Sequence, residues 1–540
     1  MKKLFLFLIL LGGCNFLDLD PIDRISSDTY YSSVEEAHQA LISCYEPIRR
    51  TRISPSKGFP LYSLSLFCTT MSDDANGGAI TIQSGNPYQE ANLLDVNPAR
   101  SEAFWARSYS GIARVNNLLD NWSNIQVKPG EESAAQYIQA EAYFLRAHYY
   151  FELLRLYENV ILTTSGQIGA NNFRDFEQED PHVVYAQATE DFLKAIPLMA
   201  ESTEAIERGR VHKYGAAAEL IKMFMFYTGF YQKDALPLPE GGQFTRTEAI
   251  ALAEDIMSNG PATLATNYAD IFHPVDGDYH PEVLFEIPFM DGEAWPAFTN
   301  GLTGNLECRA SGPISALGNA FPGSLFGPGW ANGTVRRSLV DIFEPQDDRL
   351  PATIIDAQTI IDSQGGAPLV IGWQHTGLYS NKYSTHTEIQ PAISPNTNYS
   401  QNYHYIRLAD IYLLAAEMYY DAGNVGKALS LVNDIRGRAN ASIWNSFANG
   451  KESILEERRR ELALEGHRYH DLLRQGVNYA KSKLDVKDYQ LDEDPDNPVN
   501  GDVGKASDFE VTFRTERRGF LPIPQEDLDL HPKLKQNDGY

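Results

Sequence analysis

Cationic side chains are scarce in this 540-residue chain. Lysine and arginine number 45 against 72 aspartates and glutamates, a formal charge of −27. That balance argues against a nucleic-acid binder and against a basic patch docked on anionic lipid. It suits a solvated, non-aggregating surface and points to no charged substrate of either sign. Cysteine is nearly absent: after Cys14 only Cys44, Cys68 and Cys308 remain. An odd remainder without metal spacing excludes a disulfide framework and a zinc site. Cys44, in a helical pattern, and Cys68, in an apolar run, read as buried small hydrophobes, with a Cys44–Cys68 bridge as the alternative. The usual catalytic signatures are missing too: no HExxH, no GxSxG elbow, no phosphate loop, no GxGxxG after a strand. Carboxylates abound, yet nothing in the sequence sets two at a glycosidase's working distance. Beyond the first residues no run of eighteen apolar residues occurs.

What is present begins with a leader. Met-Lys-Lys precedes eight apolar residues, Leu4 to Leu11. As a helix these span roughly 12 Å, far short of a bilayer. Leu11-Gly12-Gly13 then runs into Cys14. The pattern resembles a bacterial lipobox, so residues 1–13 read as a signal peptide, Cys14 as the lipidated residue and 14–33 as a tether.

Helical periodicity dominates much of the rest. Ile406–Ala439 is 34 residues long, the period of a tetratricopeptide repeat, with Ala416, Tyr419, Gly423 and Ala428 at that repeat's spacing. Helices are also expected at 34–49, 101–122, 134–157, 183–199, 213–230 and 245–257, and a late charged helix at 454–474. On that helix, Glu457 is expected to pair with Arg460 and Glu461 with Arg458, each at a spacing of three. Such pairs bury a face only against their neighbours and should stack.

Residues 261–402 differ. They are rich in Gly, Pro, Asn and aromatics, with frequent turn dipeptides and no helical period. The expected architecture is mainly α: a tetratricopeptide-like helical-hairpin scaffold (34–260 and 403–475), a loop-rich insert with a few short strands (261–402), and a C-terminal segment (476–540), all one domain over 34–540.

Several stretches then resemble one family in order: "CNFLDLDP", "AEAYFLRAHYYFELLRLYENV", "IRLADIYLLAAE", "VNDIRGRA", "ILEERRRELALEGHRYHDLLR" and "LPIPQEDLDLHPKLKQNDGY". The chain resembles the SusD/RagB-like outer-membrane lipoproteins of Bacteroidota. Glu158 departs from the family's usual Tyr-Gly at the end of the long helix. The resemblance implies surface display, a lipid anchor in the outer membrane, and a SusC-like TonB-dependent β-barrel transporter as partner. It also implies non-catalytic capture of an oligosaccharide, or in some members a peptide. A surface helical-repeat glycoside hydrolase is the competing enzyme reading.

A glycan site needs flat rings for sugar C–H faces and amides or carboxylates for hydroxyls. Trp295, Trp330 and Tyr88 are the expected stacking surfaces. Asn86, Asp73 and Asn300 are the expected hydrogen-bonding partners, and the cargo is expected to be neutral. Trp373 and Tyr379 are weaker candidates, while Trp105 and Trp122 lie on helices and read as core. No cofactor is expected. Asp276-Gly277-Asp278 is a weak calcium-type pattern.

Overall fold

A computed structural model describes residues 31–49, 63–79, 81, 83, 85–166, 175–199, 207–289, 304–313, 325–363, 372–390, 398–490 and 505–540. Cys14, Trp295 and Asn300 lie outside them. The periodic segments become α1 (Val34–Arg49), α2 (Leu64–Thr70), α3 (Pro87–Asn92), α4 (Glu102–Asp120), α5 (Glu132–Tyr157), α6 (Pro181–Ala195), α7 (Lys213–Tyr231) and α8 (Arg246–Asn259). The insert carries α9 (Leu306–Ser311), and the C-terminal half carries α10 (Leu408–Asp421), α11 (Val425–Arg438), α12 (Lys451–Glu461) and α13 (Arg468–Leu473). Among the described residues no helix is long and apolar enough to cross a membrane.

The scaffold stacks as its repeat period requires. α1 packs on α4, α4 on α5, α5 on α6, α6 on α7, α7 on α8, α8 on α10 and α10 on α11. Helix α5 is the spine: every residue from Phe144 to Tyr157 is buried. Its polar groups are paired sideways into neighbouring elements. Arg146 makes two hydrogen bonds to Asp191 on α6, at 2.7 and 2.8 Å. Glu152 meets Arg107 on α4 at 2.7 Å, and His148 meets Glu219 on α7 at 2.8 Å. The expected start of α8 is a capping box: Glu248 Oε2 accepts the Thr245 N–H at 2.7 Å, and Thr245 Oγ1 accepts the Glu248 N–H. The three cysteines Cys44, Cys68 and Cys308 are buried thiols, and the Cys44–Cys68 bridge is not formed.

The described residues of the insert gather around small apolar cores and are joined by a strand pair near its ends. β1 (Val283–Ile287) pairs antiparallel with β4 (Tyr403–Arg407), and β2 (Ile354–Asp356) with β3 (Leu378–Ser380). β4 occupies residues read from sequence as the beginning of a helix, so α10 starts only at Leu408. In the weak calcium-type pattern, Asp278 accepts the Asn402 N–H at 2.8 Å, while the Asp276 side chain is 85% exposed beside His273. Among the described residues no group of three or more His, Cys, Asp or Glu converges as metal ligands would.

The late charged helix is corrected by the structure. It is not continuous over 454–474: α12 ends at Glu461 and α13 starts at Arg468, with Leu464 (φ +63°) and Gly466 (φ +80°) turning the chain between them. A Cβ on Gly466 would stand 2.8 Å from Ser65 Cα, so the turn needs glycine for closeness as well as for φ. Glu457 does pair with Arg460 at 3.1 Å, as expected. Glu461 does not pair with Arg458, which instead holds Asp410 at 2.8 Å and Asp471 at 3.1 Å. Periodicity had located the helix face but not what it faces.

It faces a buried ionic network. Glu461 meets Arg349 at 3.2 Å, Arg407 at 3.1 Å and also Arg438. Glu465 meets Lys382 at 2.6 Å and Arg407 at 2.8 Å; Glu282 meets Arg438 at 2.6 Å and Arg407 at 2.5 Å. Glu457 adds Arg349 at 2.8 Å and Arg436 at 2.5 Å, and Asp347 adds Arg349 at 2.7 Å. Burial alone would raise the Glu461 carboxyl, but Arg438, Arg407 and Arg349 hold it below its ordinary value. Removing one member strands several opposite charges in a dry interior. Glu461→Gln is therefore expected to destabilise the fold by about 3–5 kcal/mol in urea unfolding. Glu456→Gln, on the half-exposed face of the same helix, is expected to stay within about 0.5 kcal/mol. Equal losses for the two would refute the network's role.

Candidate functional site

The Trp330 loop is laid into a slot rather than left to sway. Trp330 N donates to Arg309 O at 2.9 Å, Ala331 N to Gly312 O at 3.0 Å and Asn332 N to Ala310 O at 2.8 Å. On the other side, Ala79 N donates to Ala331 O and Asn76 N to Thr334 O, both at 2.8 Å. The segment is thus clamped between the end of α9 and residues 75–79. Glycine permits that spacing: Gly78 has φ +67° and a Cβ there would stand 2.2 Å from Ala331 O. Gln89 and Gln374 fix the same glycine, Gln89 Nε2 donating to Gly78 O at 2.8 Å and Gln374 Oε1 accepting Gly78 N–H at 3.2 Å.

Asn86, Asn332 and Arg309 brace this loop with their side chains. Trp330 is half-buried, one side packed on the main core. Asn86 Nδ2 donates to Asn332 Oδ1 at 3.0 Å, while Asn86 Oδ1 caps α3 by accepting from Tyr88 N and Gln89 N. The Arg309 guanidinium carbon stands 5.9 Å from the Trp330 ring centre. Asn332 is 3% exposed and its Nδ2 donates to Ala310 O at 3.3 Å, so the amide pair braces the loop, and the surface on offer is the half-exposed ring with the Arg309 cation beside it.

Two family models divide most of the sequence. The model described as the SusD family matches residues 330–540, and the one described as starch-binding, associating with outer membrane, matches 17–225. The chain belongs to the SusD/RagB-like family. A SusD-like protein of Formosa agariphila is 24% identical over 100% of this chain and 98% of its own length. A SusD-like protein of Bacteroides ovatus is 23% identical over 98% and 95%. Among solved structures, a laminarin-binding SusD-like protein superposes with a TM-score of 0.76 at 27% identity, covering 94% of this chain and all of that one. The surface glycan-binding protein A of Bacteroides thetaiotaomicron, in complex with laminarihexaose, also gives 0.76, at 22% identity, over 94% of this chain and 100% of that one. The mainly helical SusD-like fold is shared throughout.

Within this SusD-like frame two expected site residues take structural positions instead. Tyr88 offers no stacking face: its ring is 2% exposed, its hydroxyl accepts the Ser63 N–H at 3.0 Å, and burial pushes its phenol well up. Asp73 is bound to Arg468 through two hydrogen bonds of 2.7 and 2.8 Å and held far below the usual carboxylate range against the pull of burial. Both were chosen for residue type in a polar loop, and the same types serve equally well as anchors. Tyr379 is fully buried against His375, whereas Trp373 keeps a partly exposed ring. Trp105 is core, as expected, whereas Trp122 lies in a 3-10 turn past the end of α4 and is only partly buried against the core. Arg309 was missed altogether: "LECRASGP" carries no pattern that singles out its arginine.

Helix α9 presents Glu307 as well as Arg309. Glu307 is 3% exposed and accepts from Ser63 Oγ at 2.7 Å and Ser65 Oγ at 3.2 Å, tying α9 to the start of α2. Burial raises its carboxyl from 4.5 to about 7. The unfolded chain releases this proton near 4.5 and the folded chain only near 7, so this contribution to stability is full below 4.5 and is lost as pH rises through 7. Glu307→Gln keeps the neutral shape at all pH values. Relative to wild type, the variant should gain stability between pH 5 and pH 8, by up to about 3 kcal/mol. Urea unfolding at both pH values reads the gap; an unchanged gap would mean that Glu307 is not held neutral.

Proposed function

We propose that this protein is a non-catalytic, lipid-anchored surface protein that captures oligosaccharides and passes them to a SusC-like TonB-dependent transporter in the outer membrane. The observation that carries the reading is the half-exposed Trp330 on a backbone clamped from both sides, within a SusD-like frame. An aromatic face held in place matches the C–H face of a sugar ring. The laminarin-binding neighbour, similar over nearly the whole chain, supports a glycan as cargo. The leader ending at Cys14 supports the anchor, and the outer-membrane association in the matching family's description supports the location. Trp295 and Asn300 are proposed as further contacts beside Trp330.

Calorimetry with a panel of oligosaccharides tests the binding. Trp330→Ala should weaken a bound oligosaccharide at least tenfold, about 1.4 kcal/mol, with the unfolding midpoint little changed. Undiminished affinity would displace the site. New reducing ends after incubation would overturn the non-catalytic reading. A tagged full chain recovered from membranes should bring a β-barrel with it, and recovery always alone would count against the transporter.

A further inference from the structure

Ten arginines are buried among the described residues. Nine of them form an ion pair with a carboxylate. Arg309 is the tenth. It is 7% exposed, yet among the described residues it has no carboxylate partner. One terminal nitrogen donates to the Pro328 carbonyl, Nε is buried without any partner, and the guanidinium faces the Trp330 ring at 5.9 Å. A carbonyl and an aromatic face compensate a buried cation only in part. Carboxylates are not in short supply in a chain of net charge −27. Among the described residues, a carboxylate stands at every other buried arginine and none at Arg309.

We propose that the saccharide taken at Trp330 is acidic, bearing a uronate carboxylate or a sulfate ester that supplies the counter-charge Arg309 lacks. This rests on the glycan-binding reading and departs from the neutral cargo expected from the sequence. A sugar ring held at Trp330 brings its anionic substituent within the distance over which the guanidinium acts through a low-dielectric rim. Arginine suits both groups, since its guanidinium stays charged at any working pH and donates to carboxylate and sulfate oxygens alike.

Binding of the full chain to three oligosaccharides of similar length tests the idea: laminarihexaose as the neutral probe, an oligogalacturonate for carboxylate and a carrageenan-type oligosaccharide for sulfate. At low salt at least one acidic probe is expected to bind tenfold or more tighter than the neutral one. Its affinity should fall as ionic strength rises through the range that screens exposed charge, a readout that needs no variant. Arg309→Gln should remove the acidic advantage and Arg309→Lys should keep part of it, each checked for an intact thermal transition. The acidic probe that binds identifies carboxylate or sulfate. Equal or tighter binding of laminarihexaose, or an acidic preference that survives Arg309→Gln, overturns the charge inference while leaving glycan capture standing. Failure of all three probes to bind sinks both.

Discussion

The placement of Glu461 in a dry interior governs how the rest of the molecule is joined. Five acidic and five basic side chains meet there, contributed by residues 282, 347, 349, 382, 407, 436, 438, 457, 461 and 465. None could be buried alone, because each loses more hydration than one imperfect partner returns. They are tolerable only together: Glu282, Glu457, Glu461 and Glu465 each bridge two or more cations, and Asp347 holds Arg349. The cluster therefore acts as a register mark. The insert contributes Glu282, Asp347, Arg349 and Lys382; the C-terminal helices contribute Arg436, Arg438, Glu457 and Glu461. A chain that docked the insert one turn out of place would leave several of these charges unmatched.

That constraint explains why the turn between α12 and α13 exists. A continuous helix through residue 474 would carry Glu461 and Glu465 on one face four residues apart, which the sequence already shows. The break instead lets Glu465 reach Lys382 and Arg407 while Arg468 swings toward Asp73. The segment 71–79 is anchored by that second contact, together with Arg459 to Asp74. This same segment forms one wall of the slot that holds Trp330. Ionic pairing in the scaffold and ring placement at the ledge are therefore mechanically continuous.

The sequence made the helical half legible because stacked hairpins write their burial at a period of 3.6, and α1, α5 and α7 emerged close to their expected bounds. The ordered matches to one family made the overall fold legible as well. What it left unread was partnering. "EERRRELALEGHRYHD" has the composition of a solvated face, and no local rule distinguishes that from a face buried against distant opposite charge. Tyr88 and Asp73 failed for the same reason in reverse: a polar, aromatic loop motif looks alike whether it faces solvent or props up a helix. Asn86 did reach the Trp330 loop, but through Asn332 and a glycine-permitted close approach at Gly78 that only the folded chain brings into contact. Arg309 carries no signal at all until its missing partner is noticed in three dimensions.

Rigidity and incompleteness at the ledge belong together. Because the backbone around Trp330 is hydrogen-bonded to both walls of its slot, presenting the ring costs little conformational entropy when a ligand arrives. A frame so well satisfied in its main chain can tolerate one side chain that is not. Departures from local consistency in natural proteins concentrate where function asks for them, and are offset by surplus stability elsewhere. Here the surplus is visible in the paired charges of the scaffold and the departure in one guanidinium beside one half-buried ring. A surface meant only to be inert would have had every reason, in so acidic a chain, to place a carboxylate there.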